Sequence, residues 1–224
     1  DMPLNVTLEH LRDASPPVLI KGEYGIGKST QLQRLIARGD DLHFCLIEAG
    51  PDTSMAAVDY AVRLQWHPHP RHGEPKKLSL DRYLAALCED GMRPVLLVDD
   101  AHHLEPKVLG TLLNLKQHMR NKLGQALGLV LTGERSIDDT LALLEGRLRI
   151  VDELYAISTR PLNREQTAQY IQHRLHAAGR LDPMPLDADA LDAIQQATGG
   201  LPRDVNTAAA GALQALCENL GNGG

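Results

Sequence analysis

A glycine-rich segment near the beginning of the chain has the residue types and the spacing that hold phosphate groups. It reads Gly22-Glu23-Tyr24-Gly25-Ile26-Gly27-Lys28-Ser29, a complete G-x4-G-K-S pattern. The glycines allow positive φ angles and a close approach of backbone N–H groups to phosphate oxygens. Lys28 would add a positive charge at the β- and γ-phosphates, and the Ser29 hydroxyl would bind Mg²⁺. The segment therefore predicts a site for a nucleoside triphosphate with Mg²⁺.

The elements that flank this segment fit the same interpretation. Residues 18–21 form an apolar run typical of a buried strand, and residues 28–37 carry apolar side chains at helical spacing. A loop between a strand and a helix places the positive end of the helix dipole at the phosphate. A glycine-rich turn without function is the alternative. With the acid described next, the residues assigned to nucleotide binding are Gly22, Tyr24, Gly25, Ile26, Gly27, Lys28, Ser29, Thr30 and Asp99.

Two acids, Asp99 and Asp100, come directly after the apolar run of residues 94–98. Because ligands lie at the carboxyl ends of parallel strands, we expect Asp99 to face the same crevice as the phosphate loop. Asp99 would hold Mg²⁺ through water, together with Ser29, and Asp100 would orient or activate the attacking water. Two solvated acids in a turn are the alternative.

Strands and helices alternate along the first part of the chain. Strands are expected at residues 18–21, 42–47, 94–98, 127–131 and 150–157, and helices at 4–12, 28–37, 55–64, 78–88 and 105–122. This order predicts an α/β fold with a five-stranded parallel sheet of the P-loop type and helices on both faces. Helices are then expected at 164–178, 186–198 and 203–219, without further strands. We therefore predict a core over residues 1–160 and a small all-helical lid over 161–224.

Composition restricts the class of function. The formal net charge of −6 disfavours a free-standing DNA-binding protein, since phosphate contacts need clustered Lys and Arg. No apolar run reaches membrane-spanning length, and no signal peptide is recognisable. We expect a cytoplasmic protein, or the cytoplasmic domain of a longer inner-membrane protein. Cys45, Cys88 and Cys217 are far apart among apolar neighbours and are expected to be buried thiols.

Four segments, residues 22–30, 96–104, 131–133 and 198–206, give the chain a family resemblance. With them it resembles the AAA+ superfamily. More narrowly, it is similar to the branch of general secretion pathway protein A ATPases, transposon-encoded AAA+ regulators and DamX-type cell-envelope proteins. The resemblance implies ATP as the nucleotide, a homo-oligomer such as a ring, and a protein partner in envelope or secretion machinery. DNA is a less favoured partner, and membrane contact would need segments outside this chain.

The resemblance also implies roles for residues outside the two motifs. Thr132 matches the sensor-1 position near the γ-phosphate. A threonine at the end of a strand whose hydroxyl forms a hydrogen bond within a local turn is an equal alternative. Arg203 matches the sensor-2 arginine of the lid. Arg147 and Arg149 lie where AAA+ rings place an arginine that reaches a neighbour's nucleotide, and two surface arginines are the alternative. Together with Asp100, these residues form the expected catalytic set.

The chain departs from its relatives at Asp100, where they usually carry Glu. Asp is one methylene shorter, and positioning errors of ~1 Å can cost ~100-fold in rate. We therefore expect slow or partner-activated hydrolysis, and unchanged turnover after Asp100→Glu would contradict this. Three functions are open: an ATPase that drives assembly or remodelling of an envelope or secretion complex, an ATP-dependent DNA-binding regulator of the transposition type, and an ATP-binding switch with negligible turnover.

Overall fold

The computed structural model of the chain describes residues 2–12, 16–72, 74–145, 148, 153–179 and 183–221. The chain divides into two units. The first, which we call the sheet unit, comprises Asp1–Gly22 and Lys28–Ser158. The second, the helical unit, comprises Glu23–Gly27 and Thr159–Gly224. The phosphate loop therefore begins and ends in the sheet unit, whereas its middle residues belong to the helical unit.

All strands of the sheet unit join one parallel sheet. In chain order they are β1 (Val18–Lys21), β2 (His43–Glu48), β3 (Pro94–Asp99), β4 (Gly128–Gly133) and β5 (Tyr155–Ser158). Their order across the five-stranded sheet is β2-β3-β4-β1-β5, and every pair is parallel. Strands β3 and β4 are buried along their whole length, as near-continuous apolar runs predict for a sheet covered on both faces. The predicted fold class is confirmed.

Helices cover both faces of this sheet. They are α1 (Met2–Arg12), α2 (Lys28–Arg38), α3 (Met55–Gln65), α4 (Leu80–Glu89), α5 (Pro106–Leu123) and α6 (Ile137–Ala142). The alternation of side chains along a strand separates two apolar clusters. Leu96 and α3 to α6 belong to one cluster, and Leu97, α1 and α2 belong to the other. Each face of the sheet therefore has its own core.

The helical unit has a small core of its own. Its helices are α7 (Arg164–Ala177), α8 (Ala188–Thr198) and α9 (Pro202–Gly221). Ile171, Ile194 and Val205 bring one buried side chain from each helix into this core. A capping box between Asn163 and Gln166 begins α7. No helix among the described residues is long and apolar enough to cross a membrane.

The structure corrects three expectations. Strand β5 begins at Tyr155 rather than at residue 150, because it pairs only with the four residues of β1; residues 150–152 lie outside the described part. Helix α6 was not predicted, since six residues are too few to show helical periodicity. Only Cys45 is a buried thiol: Cys88 is half-buried, and Cys217 is exposed on α9.

Lys116 on α5 is a buried cation that should make stability depend on pH. Its Nζ donates to the backbone oxygen of Leu127 at 2.5 Å. Burial, assisted by the nearby charge of Arg120, lowers the pKa of Lys116 to about 8. The unfolded chain keeps a pKa of about 10.4, so between these values it binds more protons than the folded chain. The free energy of unfolding should therefore rise as the pH increases from about 8 to about 10.

We expect Lys116→Met to flatten this rise, as measured by urea unfolding at several pH values across that interval. Lys107→Met is the matched control, because Lys107 is exposed at the start of the same helix. The control should keep the wild-type slope. Equal slopes in the two variants would contradict the assignment of the effect to Lys116.

Candidate nucleotide-binding site

The carboxyl ends of β1, β3 and β4 meet at one edge of the sheet. Strand β4 lies between the other two: Lys21 of β1 is in register with Gly133, and Val98 of β3 is in register with Leu131. The N–H of Gly22 donates to the backbone oxygen of Gly133 at 3.2 Å. The first residue of the phosphate loop is therefore tied to the end of β4, the neighbour of the strand that carries the two acids.

Thr132 joins β4 to both acids. Its side chain is fully buried, and its hydroxyl donates to Asp99 Oδ1 at 2.5 Å. The same hydroxyl accepts the backbone N–H of Asp100 at 2.9 Å. Asp99 is itself only 9% exposed. Its carboxylate is held in place by the buried hydroxyl of Thr132. The bonds of Thr132 thus run to another strand and not to a local turn.

Asp100 has an unusual backbone conformation. Its φ of 52° and ψ of 40° are left-handed, and among the described residues it alone combines a side chain with positive φ. Asp tolerates this region because its short polar side chain can form local hydrogen bonds. The turn ends β3 and leads into the short 3-10 helix Ala101–His103. The Asp100 side chain is 43% exposed, so the two adjacent acids have different environments.

Helix α2 supplies donors suited to a triphosphate. Lys28, its first residue, is 6% exposed, and its Nζ donates to the backbone oxygen of Gly22 at 3.0 Å. No acidic residue in the first turn offsets the positive end of the helix dipole. The hydroxyl residues Ser29 and Thr30 are exposed in the same turn. A buried ammonium, a free helix dipole, two hydroxyl groups and the carboxylate of Asp99 fit ATP with Mg²⁺.

The middle of the phosphate loop contacts the start of α9 within the helical unit. Gly25 and Gly27 have φ angles of 79° and 97°, which only glycine adopts readily. The backbone oxygen of Gly25 accepts the N–H of Arg203 at 3.2 Å. The Arg203 guanidinium carbon lies 4.5 Å from the centre of the Tyr24 ring. The predicted sensor-2 arginine thus contacts the loop itself, and its contact with a γ-phosphate stays a prediction.

Two members of the expected catalytic set, Arg147 and Arg149, lie outside the described residues. Their role in trans stays a prediction. Of the predicted residues that are described, Gly22, Lys28, Asp99 and Thr132 lie at the carboxyl edge of the sheet unit.

His102 belongs to the same edge, and its place after the two acids predicts a side chain that packs and forms hydrogen bonds near the site rather than one that ligates a metal. Its side chain is 10% exposed, and its Nδ1 lies 3.9 Å from Asp100 Oδ1. Its ring packs on that of His103 with 4.0 Å between ring centres. Burial lowers the pKa of His102; His103 and Lys28 act in the same direction, while Asp100 and Glu134 oppose it. The sequence signal was only its place two residues after Asp100.

Comparison with known proteins agrees with this geometry. Residues 12–141 match the family model described as the AAA domain. General secretion pathway protein A from Aeromonas hydrophila is 29% identical over 205 residues, which is 88% of this chain. The chain spans 36% of the length of that relative.

Solved structures share the fold. The ORC2 protein of Aeropyrum pernix in its ADP form has a TM-score of 0.66 at 13% identity, covering 98% of this chain and 63% of its own. Cdc6p from Pyrobaculum aerophilum has a TM-score of 0.68 at 24% identity, covering 98% of this chain and 61% of its own. These identities show a common fold and nothing further about function. By the family match, the chain belongs to the AAA domain family of P-loop ATPases.

Proposed function

We propose that this chain binds ATP with Mg²⁺ and hydrolyses it slowly, to drive assembly or remodelling of a cell-envelope or secretion-associated complex. The observation that carries the proposal is the buried hydrogen bond from Thr132 to Asp99, at the sheet edge where the phosphate loop begins. The family supports nucleotide hydrolysis in general. The similarity to general secretion pathway protein A supports the secretion-associated role.

Each residue of the edge has a role in this proposal. Lys28 neutralises the β- and γ-phosphates, and Ser29 and Asp99 hold the metal, Asp99 through water. When bound, Mg²⁺ supplies positive charge to the phosphate oxygens. Thr132 fixes the Asp99 carboxylate by its hydrogen bond. Asp100 orients the attacking water, and its short side chain makes turnover slow.

Oligomerisation completes the site in the proposal. Arg203 reports the γ-phosphate from α9, and Arg147 or Arg149 stabilises the transition-state charge in a neighbouring subunit. A site completed in trans needs two subunits together. Turnover per subunit therefore depends on the concentration of protein.

The test is steady-state phosphate release with Mg-ATP over a range of protein concentrations, with Lys28→Ala as the blank. Turnover per subunit should rise with concentration. Flat but real turnover would contradict the trans arginine and leave a self-sufficient ATPase. Tight ATP binding with no turnover above the blank would contradict an ATPase that is active alone. It would leave the switch, which the short side chain of Asp100 favours, or an ATPase that needs a partner for activation.

A further inference from the structure

His102 has a buried nitrogen that no described protein group satisfies. Among the described residues, none forms a hydrogen bond with His102 Nδ1, which is buried. Buried polar atoms in folded proteins nearly always have a partner, and leaving one unpaired costs about 1–3 kcal/mol. The nitrogen therefore indicates a bonding partner other than the protein.

The surroundings of this nitrogen show which partner fits. The closest acid oxygen is Asp100 Oδ1 at 3.9 Å, too far for a direct hydrogen bond. One water molecule bonded to both atoms at ~2.8 Å spans such a separation. In the proposed function, Asp100 orients the attacking water. A water between the two side chains would thus be the reactant itself.

We propose that His102 and Asp100 together position the water that attacks the γ-phosphate of ATP. The proposal rests on the proposed function and adds a second residue to its water site. With two acceptors, one hydrogen of the water points to Asp100 and the other to His102 Nδ1. An oxygen lone pair is then directed away from both side chains. This second contact offsets part of the effect of the missing methylene of Asp100: turnover stays slow, but the water is held in a more defined orientation than by a single short acid.

The surroundings of His102 favour the neutral ring that this role requires. Burial lowers its pKa, and the positive charge of Lys28 acts in the same direction. His103 also lowers it, whereas the carboxylates of Asp100 and Glu134 act against the shift. His102 is therefore neutral near pH 7. The tautomer with its proton on Nε2 offers Nδ1 as the acceptor.

The reaction balances with the residues of this edge. The water oxygen forms a bond to the γ-phosphorus, and the bond from that phosphorus to the β–γ bridging oxygen breaks. The electron pair of the broken bond stays with ADP. The proton lost by the water passes to the Asp100 carboxylate, which returns it to the phosphate product. His102 gains and loses no proton and acts by orientation alone.

The test compares His102→Phe with His102→Asn in the full chain. Phe keeps a planar ring without nitrogen, whereas Asn keeps a polar δ atom that can accept a hydrogen bond. Single-turnover phosphate release from Mg-ATP, with protein in excess, should be ~10- to 100-fold slower in His102→Phe. His102→Asn should recover most of the rate. The Kd for ATP should stay within about twofold of wild type in both variants, because the role is confined to the water.

His118→Phe is the matched control, since His118 lies on the exposed side of α5, where it faces Asp81. It should leave the rate unchanged. A wild-type rate in His102→Phe, equal slowing in His102→Asn, or a parallel loss of ATP affinity would overturn the role of His102 and leave the ATPase assignment intact. No wild-type phosphate release above the Lys28→Ala blank would overturn both proposals.

Discussion

Lys28→Ala is expected to weaken ATP binding at least ~100-fold and to remove Mg-dependent turnover. The Lys28 ammonium is buried at the first residue of α2, beside the backbone oxygen of Gly22. Its bonds to phosphate oxygens would be charge-assisted, worth about 1.5–3 kcal/mol each. Loss of two such bonds corresponds to ~100-fold or more in Kd, since each 1.4 kcal/mol is about tenfold. Calorimetric titration with ATP and Mg²⁺ measures the loss.

Lys107→Ala is the matched control, because this lysine is exposed at the start of α5. It should bind ATP like the wild type. The melting temperature of Lys28→Ala should not fall, since the variant removes a buried charge and keeps a good helix former at the start of α2. Wild-type affinity in Lys28→Ala would contradict the whole phosphate site. A weaker affinity accompanied by unfolding would show that Lys28 acts on stability instead.

The parts of the site that could be predicted from the sequence are those encoded in contiguous residues. The loop from Gly22 to Gly27 lies between a strand and a helix, and all three are visible in one stretch of the chain. Asp99 follows an apolar run that ends where β3 ends. Both expectations depend on local patterns with periods of two or 3.6 residues. The structure agrees with them to within a residue or two.

The contacts between distant residues could not be predicted in this way. The bond from Thr132 to Asp99 exists because β4 lies between β3 and β1, an order that no local pattern encodes. The same holds for Arg203, whose N–H donates to Gly25 across almost the whole sequence. Burial of His102 depends on how the turn after Asp100 packs. Strand order and packing decide these contacts, so the sequence could suggest roles for Thr132 and Arg203 but not their partners.

The contact of Arg203 with the phosphate loop lies within the helical unit. Arg203 donates its backbone N–H to Gly25 and places its guanidinium over the Tyr24 ring. A Cβ at Gly25 would lie 2.9 Å from Arg203 Cβ, so this approach requires glycine. A change in the conformation of the loop would therefore alter its contacts with the first turn of α9. We therefore expect the conformation of the residues just before that turn to be as important for this contact as Arg203 itself.

Gly200→Ala is accordingly expected to destabilise the helical unit by more than ~4 kcal/mol, the range of severe backbone and packing clashes. Its φ of +80° disfavours any side chain, and an added Cβ would lie 1.9 Å from the backbone oxygen of Leu162. The two residues cannot separate freely, because the Leu162 N–H donates to the Gly200 oxygen at 2.9 Å. Thermal unfolding followed by circular dichroism, with limited proteolysis to locate the cleaved region, measures the effect.

Gly199→Ala is the control that separates conformation from contact. Gly199 also has a positive φ, +57°, but an added Cβ there meets nothing within 4 Å. Gly199→Ala should lower the free energy of unfolding by only ~1–2 kcal/mol, the cost of placing a residue with a Cβ in the left-handed conformation. A similar loss in the two variants would contradict the clash with Leu162. If Gly200→Ala alone exposes the helical unit to protease and also lowers ATP turnover, the approach of Arg203 to Gly25 depends on this turn, because Gly200 lies three residues before Arg203.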